Sequence, residues 1–160
     1  MGIFLRIMSV QARLSGVSFH LADLDEMFPK LVGRLEELQQ AVLNHEEGPG
    51  VDRRFGLVGL LANRVFGREE EAMELCRDQA LTVHRTAHAK FLGNLSDART
   101  RFQKEGPSVA LAHDLRVEAL EWLVDHHRVM NSGMGRVVRE TVERSIRHNQ
   151  AMEAGGKVGH

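Results

Sequence analysis

Apolar residues recur along this chain at alternating steps of three and four, the spacing of one face of an α-helix. They do so in four long segments, 19–46, 52–76, 79–105 and 108–131, each rich in Leu, Ala, Glu, Gln and Arg without an internal β-branched run. Breaks come at Gly48-Pro49-Gly50, at the polar pair Arg77-Asp78 and at Gly106-Pro107. Pro29 is the one helix-breaking residue inside a segment, either close to the start of the first helix or at a kink in it. Four helices of this length joined by short turns predict an all-α fold, an antiparallel up-down-up-down four-helix bundle. After Gly133 and Gly135, the run Val137, Val138, Val142 and Ile146 among Arg136, Arg139, Arg144 and Arg147 predicts an additional short amphipathic helix. The expected organisation is an N-terminal arm over 1–17, the bundle over 18–132, the extra helix over 133–152 and a disordered tail over 153–160.

The seams differ in what interrupts them. The first, Leu24, Phe28, Leu31, Leu35, Leu38 and Val42, is wholly apolar. The second runs Val58, Ala62, Val65, Glu69, Ala72 and Cys76, placing a carboxylate in line with core positions. The third carries two imidazoles, His84 and His88, among Leu81, Phe91, Leu95, Ala98 and Phe102, and the fourth adds His126 to Ala112, Leu115, Ala119, Trp122 and Met130. Measured from the turns at Asp78 and Gly106, these four polar residues stand at nearly the same height, within about one helical turn of each other.

Composition narrows what such a layer is for. The chain has 160 residues, 42% hydrophobic, enough for one domain whose core needs neither a disulfide nor a metal merely to hold together. With 21 basic against 22 acidic residues and no block of like charge, it offers no footprint for a nucleic acid or an anionic membrane. Cys76 is the only cysteine, which rules out an internal disulfide, a zinc ribbon and a covalently attached c-type haem. No apolar run has the length of a membrane span, and a cytoplasmic location is expected. No nucleophile–histidine–acid arrangement and no phosphate-binding glycine loop appears.

A buried carboxylate or imidazole left alone is costly, so the four need partners. A hydrogen-bonded core cluster is one solution. A transition metal is the other: His84 and His88, at i and i+4, put two ring nitrogens on one helix face, and His126 and Glu69 complete three nitrogens and one oxygen from two further helices. That set suits Fe(II), Mn(II), Co(II) or Zn(II), so any metal here serves chemistry.

The runs Glu69-Glu70-x-x-Met73, His84-x-x-x-His88-x-x-Phe91 and Trp122-Leu123-x-x-His126, with Leu24-Asp25-Glu26-Met27-Phe28 upstream, resemble the haemerythrin and bacteriohaemerythrin signature over approximately residues 16–131. The resemblance implies a four-helix bundle holding two bridged irons that bind dioxygen reversibly. Three departures respect a partition between the two irons: Phe28 and Val65 stand where the family has the histidines of one iron, and Asn131 stands in place of its bridging aspartate. The histidines of the other iron match His84, His88 and His126, and Glu69 matches the former bridge. The resemblance therefore implies one non-haem iron per chain, with Zn or Mn as alternatives. Family-type oxygen storage draws one electron from each of two irons, so the expectation is binding or sensing of a small ligand such as O2 or NO, or a weak oxidase activity. Phe28, Val65 and Trp122 would wall the ligand pocket, with Met130, His127 and Asn131 nearby.

Two other readings start from the same residues. The space left by a second iron could take b-type haem, with axial ligands drawn from His84, His88, His126, His127 and Met130, for electron transfer or haem sensing. Alternatively, the bundle is a metal-free interaction module. Helical phase turns Glu70 and Glu71 toward solvent and His127 sideways, and His20 is read as a surface or capping residue. Met27 and Met73 are core filler and Cys76 a small buried hydrophobe. Self-association is expected, if anywhere, through 136–150, as a homodimer.

Overall fold

The computed structural model describes the backbone of residues 2–155, with side chains at 12, 13 and 15–130 and at scattered positions beyond. It is helical throughout: α1 (Gly2–Leu43), α2 (Pro49–Leu75), α3 (Leu81–Glu105), α4 (Val109–Asp114) and α5 (Trp122–Gly155), with a π-helical stretch, Leu115–Glu121, joining α4 to α5. The last three run on from one another as the fourth limb of an antiparallel bundle, in which α2 lies between α1 and α3 and the fourth limb packs against α1 and α3.

The turns are built where the sequence breaks. Gly48 takes φ 90 ahead of α2, and Pro49 follows in the first turn, where its missing N–H would have had no helical acceptor. Gly106 ends α3 at φ 77 while its N–H reaches the Phe102 carbonyl. The Ser108 hydroxyl then accepts the Leu111 N–H at 3.1 Å and caps α4. Between α2 and α3 the Asp78 carboxylate accepts the Ala80 N–H at 2.9 Å.

The wholly apolar seam of α1 is the spine of the core: Leu24, Leu31, Leu35, Leu38 and Val42 are buried, with Phe28 packed at its edge. Facing it are Val58, Ala62, Val65 and Ala72 from α2, Phe91, Leu95, Ala98 and Phe102 from α3, and Ala112, Leu115 and Ala119 from the fourth limb. Arg99 and Asp52 link α3 to α2 at the rim by paired contacts of 2.8 and 2.6 Å, with the Gln103 amide on the same carboxylate at 2.8 Å.

Some boundaries differ from the sequence expectation. The arm expected over 1–17 is helical from Gly2 and continuous with α1, which also runs through Pro29. The segment expected as a separate helix over 133–152 is helical as the continuation of α5, without a break at Gly133 or Gly135, and the helix reaches Gly155, inside the expected tail. Residues 156–160 and the side chains of Val137, Val138 and Val142 lie outside the described residues.

The π stretch matters most for function. An i→i+5 turn holds one residue more than an α turn, so the inward face downstream is delayed by one position. Burial accordingly runs Leu111, Ala112, Leu115, Ala119 and then Leu123 in place of the expected Trp122, ending at Met130. The consecutive His126 and His127, next on this shifted face, both come to the core side.

Candidate metal centre

Glu69 places a carboxylate in the hydrocarbon layer of α2 with 1% of its surface exposed. His88, 2% exposed on α3, brings its Nε2 to 2.9 Å from Glu69 Oε2. His126 on α5 puts its Nε2 at 3.4 Å from the same oxygen and 2.9 Å from His88 Nε2. Three ligand-type atoms from three helices thus form a triangle with edges of 2.9, 2.9 and 3.4 Å.

A hydrogen-bonded cluster explains this triangle only in part. One imidazole can donate to the other across 2.9 Å, but Glu69 Oε2 is buried without a hydrogen bond. Such an orphaned acceptor costs about 1–3 kcal/mol. An ion satisfies all three atoms together. At an ordinary metal–ligand distance of about 2.1 Å, neighbouring ligands stand about 3.0 Å apart at right angles and about 3.4 Å apart at the tetrahedral angle. The observed edges span that range, so the residues fit a transition metal, and among the described residues Glu69, His88 and His126 are the group that fits one.

Aromatic rings fill the surroundings. Phe66 lies flat against His88, centroids 4.1 Å apart and planes within 3°, and Trp122 stacks on His126 at 4.6 Å and 11°. Phe66 also meets Phe91 and Trp122 edge-on. Phe66 was not picked out from the sequence because it stands one residue off the Val58–Cys76 seam. The signal for it is a second column, Phe55, Ala62, Phe66, Glu69 and Met73, at the same helical steps and buried throughout. Opposed axial nitrogens on one iron would lie about 4 Å apart, twice the usual bond length, whereas His88 Nε2 and His126 Nε2 are 2.9 Å apart. His88 and His126 therefore do not stand as an opposed pair of ligands.

His84 stands beside the triangle. Its ring centroid is 5.0 Å from His126 and 5.9 Å from His88, and it is half-buried at the mouth. Burial, reinforced by His126 and His88, pushes its imidazole below the usual range and so favours a neutral ring with a free lone pair. His127, expected to point sideways, instead brings Nδ1 to 3.6 Å from Glu69 Oε1 and stacks on Phe28 at 3.5 Å. The π stretch accounts for that difference. Burial by itself would raise the Glu69 carboxyl, but the imidazoles of His126, His127 and His88 outweigh it and hold the group below the ordinary carboxylate range. Glu69 is therefore an anion at neutral pH.

Glu70 also departs from expectation. It does not simply face solvent: its Oε1 lies 2.7 Å from His88 Nδ1, while Arg85 Nε donates to its Oε2 at 3.2 Å. Glu71 is exposed as expected and pairs with Arg68 at 2.9 Å and with His20 Nδ1 at 3.3 Å, which leaves His20 in a rim cluster. Val65, Met73, Met27 and Met130 are buried in the core, and Cys76 is a half-buried free thiol. The Asn131 side chain lies outside the described residues.

Compared with models of known protein families, with curated proteins and with solved structures, the chain matches none. Among the described residues no helix is long and apolar enough to cross a membrane.

Proposed function

We propose that this chain is a haemerythrin-like metal-binding protein that holds one non-haem transition metal, most simply iron, and uses it to bind or sense a small ligand such as O2 or NO. The observation that carries this reading is the buried Oε2 of Glu69, without a hydrogen bond yet 2.9 and 3.4 Å from two imidazole nitrogens. Glu69, His88 and His126 would supply the metal with one oxygen and two nitrogens from one side, and His84 stands beside them with its ring centroid 5.0 Å from that of His126. Two imidazoles and a carboxylate meeting on one face is a donor set that suits non-haem iron with positions left open. When bound, the metal supplies an electron-rich centre for a diatomic ligand.

The remaining residues act on the site around it. Phe66 and Trp122 hold the rings of His88 and His126 by flat stacking, and their apolar faces exclude water from the Glu69 layer. Phe28 and Val65, which replace the histidines of the family's other iron, fill that volume, with Phe28 closed against His127. With Phe28 and Val65 in those two positions, one ion is favoured over a bridged pair.

Elemental analysis of anaerobically purified protein, with the visible spectrum of the same sample, tests the reading. It expects about one non-haem metal per chain, lost in His88→Ala. Two irons with oxo-bridge absorption, or a Soret band, would overturn it, as would the absence of any metal after reconstitution.

A further inference from the structure

The first helix outruns its neighbour. A Cβ placed on Gly16 would lie 2.9 Å from Leu75 Cδ1, so Gly16 packs on the last residue of α2. The Arg68–Asp23 pair, at 2.8 Å, gives the same register one heptad further into the bundle. Beyond Gly16, residues 2–15 of α1 form about 21 Å of helix that α2 does not accompany. The inward seam keeps its steps of three and four from Leu24 back through Val17 to Ile3.

A second set of positions, Phe4, Met8, Ala12, Ser15 and Phe19, also falls at steps of four and three and so lies along a different side of α1. Where its side chains are described, this side is open. Ala12, Ser15 and, one step on, Ala22 are exposed. Phe19 is 61% exposed, although the Arg68 guanidinium stands 5.6 Å from its ring centre. The side also carries no charge: Arg6 and Arg13 are the only charged residues from Gly2 to Ala22, and with His20 they follow at steps of seven elsewhere on the helix. From Phe4 to Ala22 it is about 27 Å long and about 10 Å wide. An uncharged patch of about 270 Å² is of the size that marks an interaction site.

We propose that a second copy of this chain covers this side, α1 packing antiparallel on α1 about a two-fold axis between Gln11 and Ala12. In that orientation the set is its own complement. Phe4 of one copy stands opposite Phe19 of the other, Met8 stands opposite Ser15, and the small Ala12 lies at the axis, where two helices come closest. A two-fold interface repeats every contact, and a face with aromatic residues at both ends and small ones toward the middle can do so without a clash at its centre. The two arginines of each copy stay off the shared face. The homodimer expected through 136–150 is better served here, because Arg136, Glu140, Glu143, Arg144 and Arg147 on α5 are exposed and ionic. An interface of this extent belongs to the weak, reversible class. The inference is independent of the metal reading.

Sedimentation velocity of the full chain at about 5 and 200 µM tests it, a range suited to a weak interface. The wild-type chain should shift from monomer toward dimer with concentration. Phe19→Glu, which sets a charge at an exposed position, should weaken the dimer about 30-fold or more. In a Cys76→Ser background, Ala12→Cys should close a disulfide between copies under mild oxidation. Ser15→Cys should not, because antiparallel packing sets it about 10 Å along the axis from its counterpart, beyond disulfide reach. If Phe19→Glu does not fold, Ser15→Glu takes its place with the same expectation. A chain still monomeric at the higher concentration overturns the proposal. So does a dimer that the charged variant leaves intact, or a disulfide through Ser15→Cys in place of Ala12→Cys. A monomer that co-sediments with phosphatidylglycerol vesicles, and fails to in Phe19→Glu, would assign this side to a lipid surface and overturn the proposal as well.

Discussion

Metal addition should stabilise this protein by an amount that depends on three side chains and can be put in numbers. The metal-free fold carries an orphaned Glu69 Oε2 beside two imidazole nitrogens that face each other. Those atoms are assembled only in the folded chain, so an ion that binds them binds the native state and leaves the unfolded state almost untouched. At a free ion concentration 100-fold above Kd, this linkage contributes about 2.7 kcal/mol. For a chain of this size each kcal/mol moves Tm by about 2–4 °C, so the expected rise is about 5–11 °C. The assay is anaerobic thermal unfolding followed by circular dichroism, in chelator and then in buffered Fe(II), Mn(II), Co(II) or Zn(II). His88→Ala and His126→Ala should each lower the metal-free Tm somewhat and reduce the metal-induced rise to near zero. His84→Ala should shorten the rise without removing it, because its ring lies beside the triangle and outside it. His113→Ala, which removes an exposed imidazole on α4 beside Asp114, is the control and should keep the whole rise. No rise with any of the four ions, or a rise that survives loss of both His88 and His126, would show that these side chains do not hold a metal.

Three further outcomes follow from the structure. Phe66→Ala removes a buried ring stacked on His88, and chemical denaturation should show a loss of about 3–5 kcal/mol, with weaker metal binding in the variant that remains folded. Ser108→Ala removes the hydroxyl that caps α4 and should cost about 1 kcal/mol in the same assay, with no effect on metal uptake. Arg99, with Gln103 beside it, holds the Asp52 carboxyl down to about 2, against an ordinary value of 3.8. A depressed folded-state value means that the pair stabilises the fold above the ordinary carboxylate range and that this contribution fades as pH falls toward about 2. Asp52→Asn should therefore be less stable than the wild-type chain at neutral pH and converge with it in acid-unfolding curves below that range.

The bundle was legible because helix period and turn chemistry are local. Leu24 to Val42 repeat at the steps of one helical face, and all but Phe28 are buried, as that face requires. Gly48-Pro49 and Gly106-Pro107 stop and start helices through backbone conformations that only neighbouring residues decide. The seam positions of Glu69, His88 and His126 were legible for the same reason, as were their shared heights, since rise per residue is constant. Boundaries were less so. Gly133 and Gly135 look like breaks in isolation, yet α5 passes through them, because glycine costs only about 1 kcal/mol within a helix already under way.

Four amphipathic helices packing antiparallel around a common core, with one carboxylate and three imidazoles on the inward seams, can be read from the residues alone. Both follow from spacing that any α-helix imposes on its own residues. Which of those polar groups meet, and at what distances, depends on how the helices pack against one another. The π stretch at Leu115–Glu121, packed against α1 and α3, delays the inward face by one residue and brings His127 in beside His126. Where His88 enters between Glu69 and Glu70 depends on how α3 rotates against α2, and that rotation turned a residue phased toward solvent into a partner of the site. Rotation and register between helices arise from the interlocking of whole faces, and no single segment carries that information.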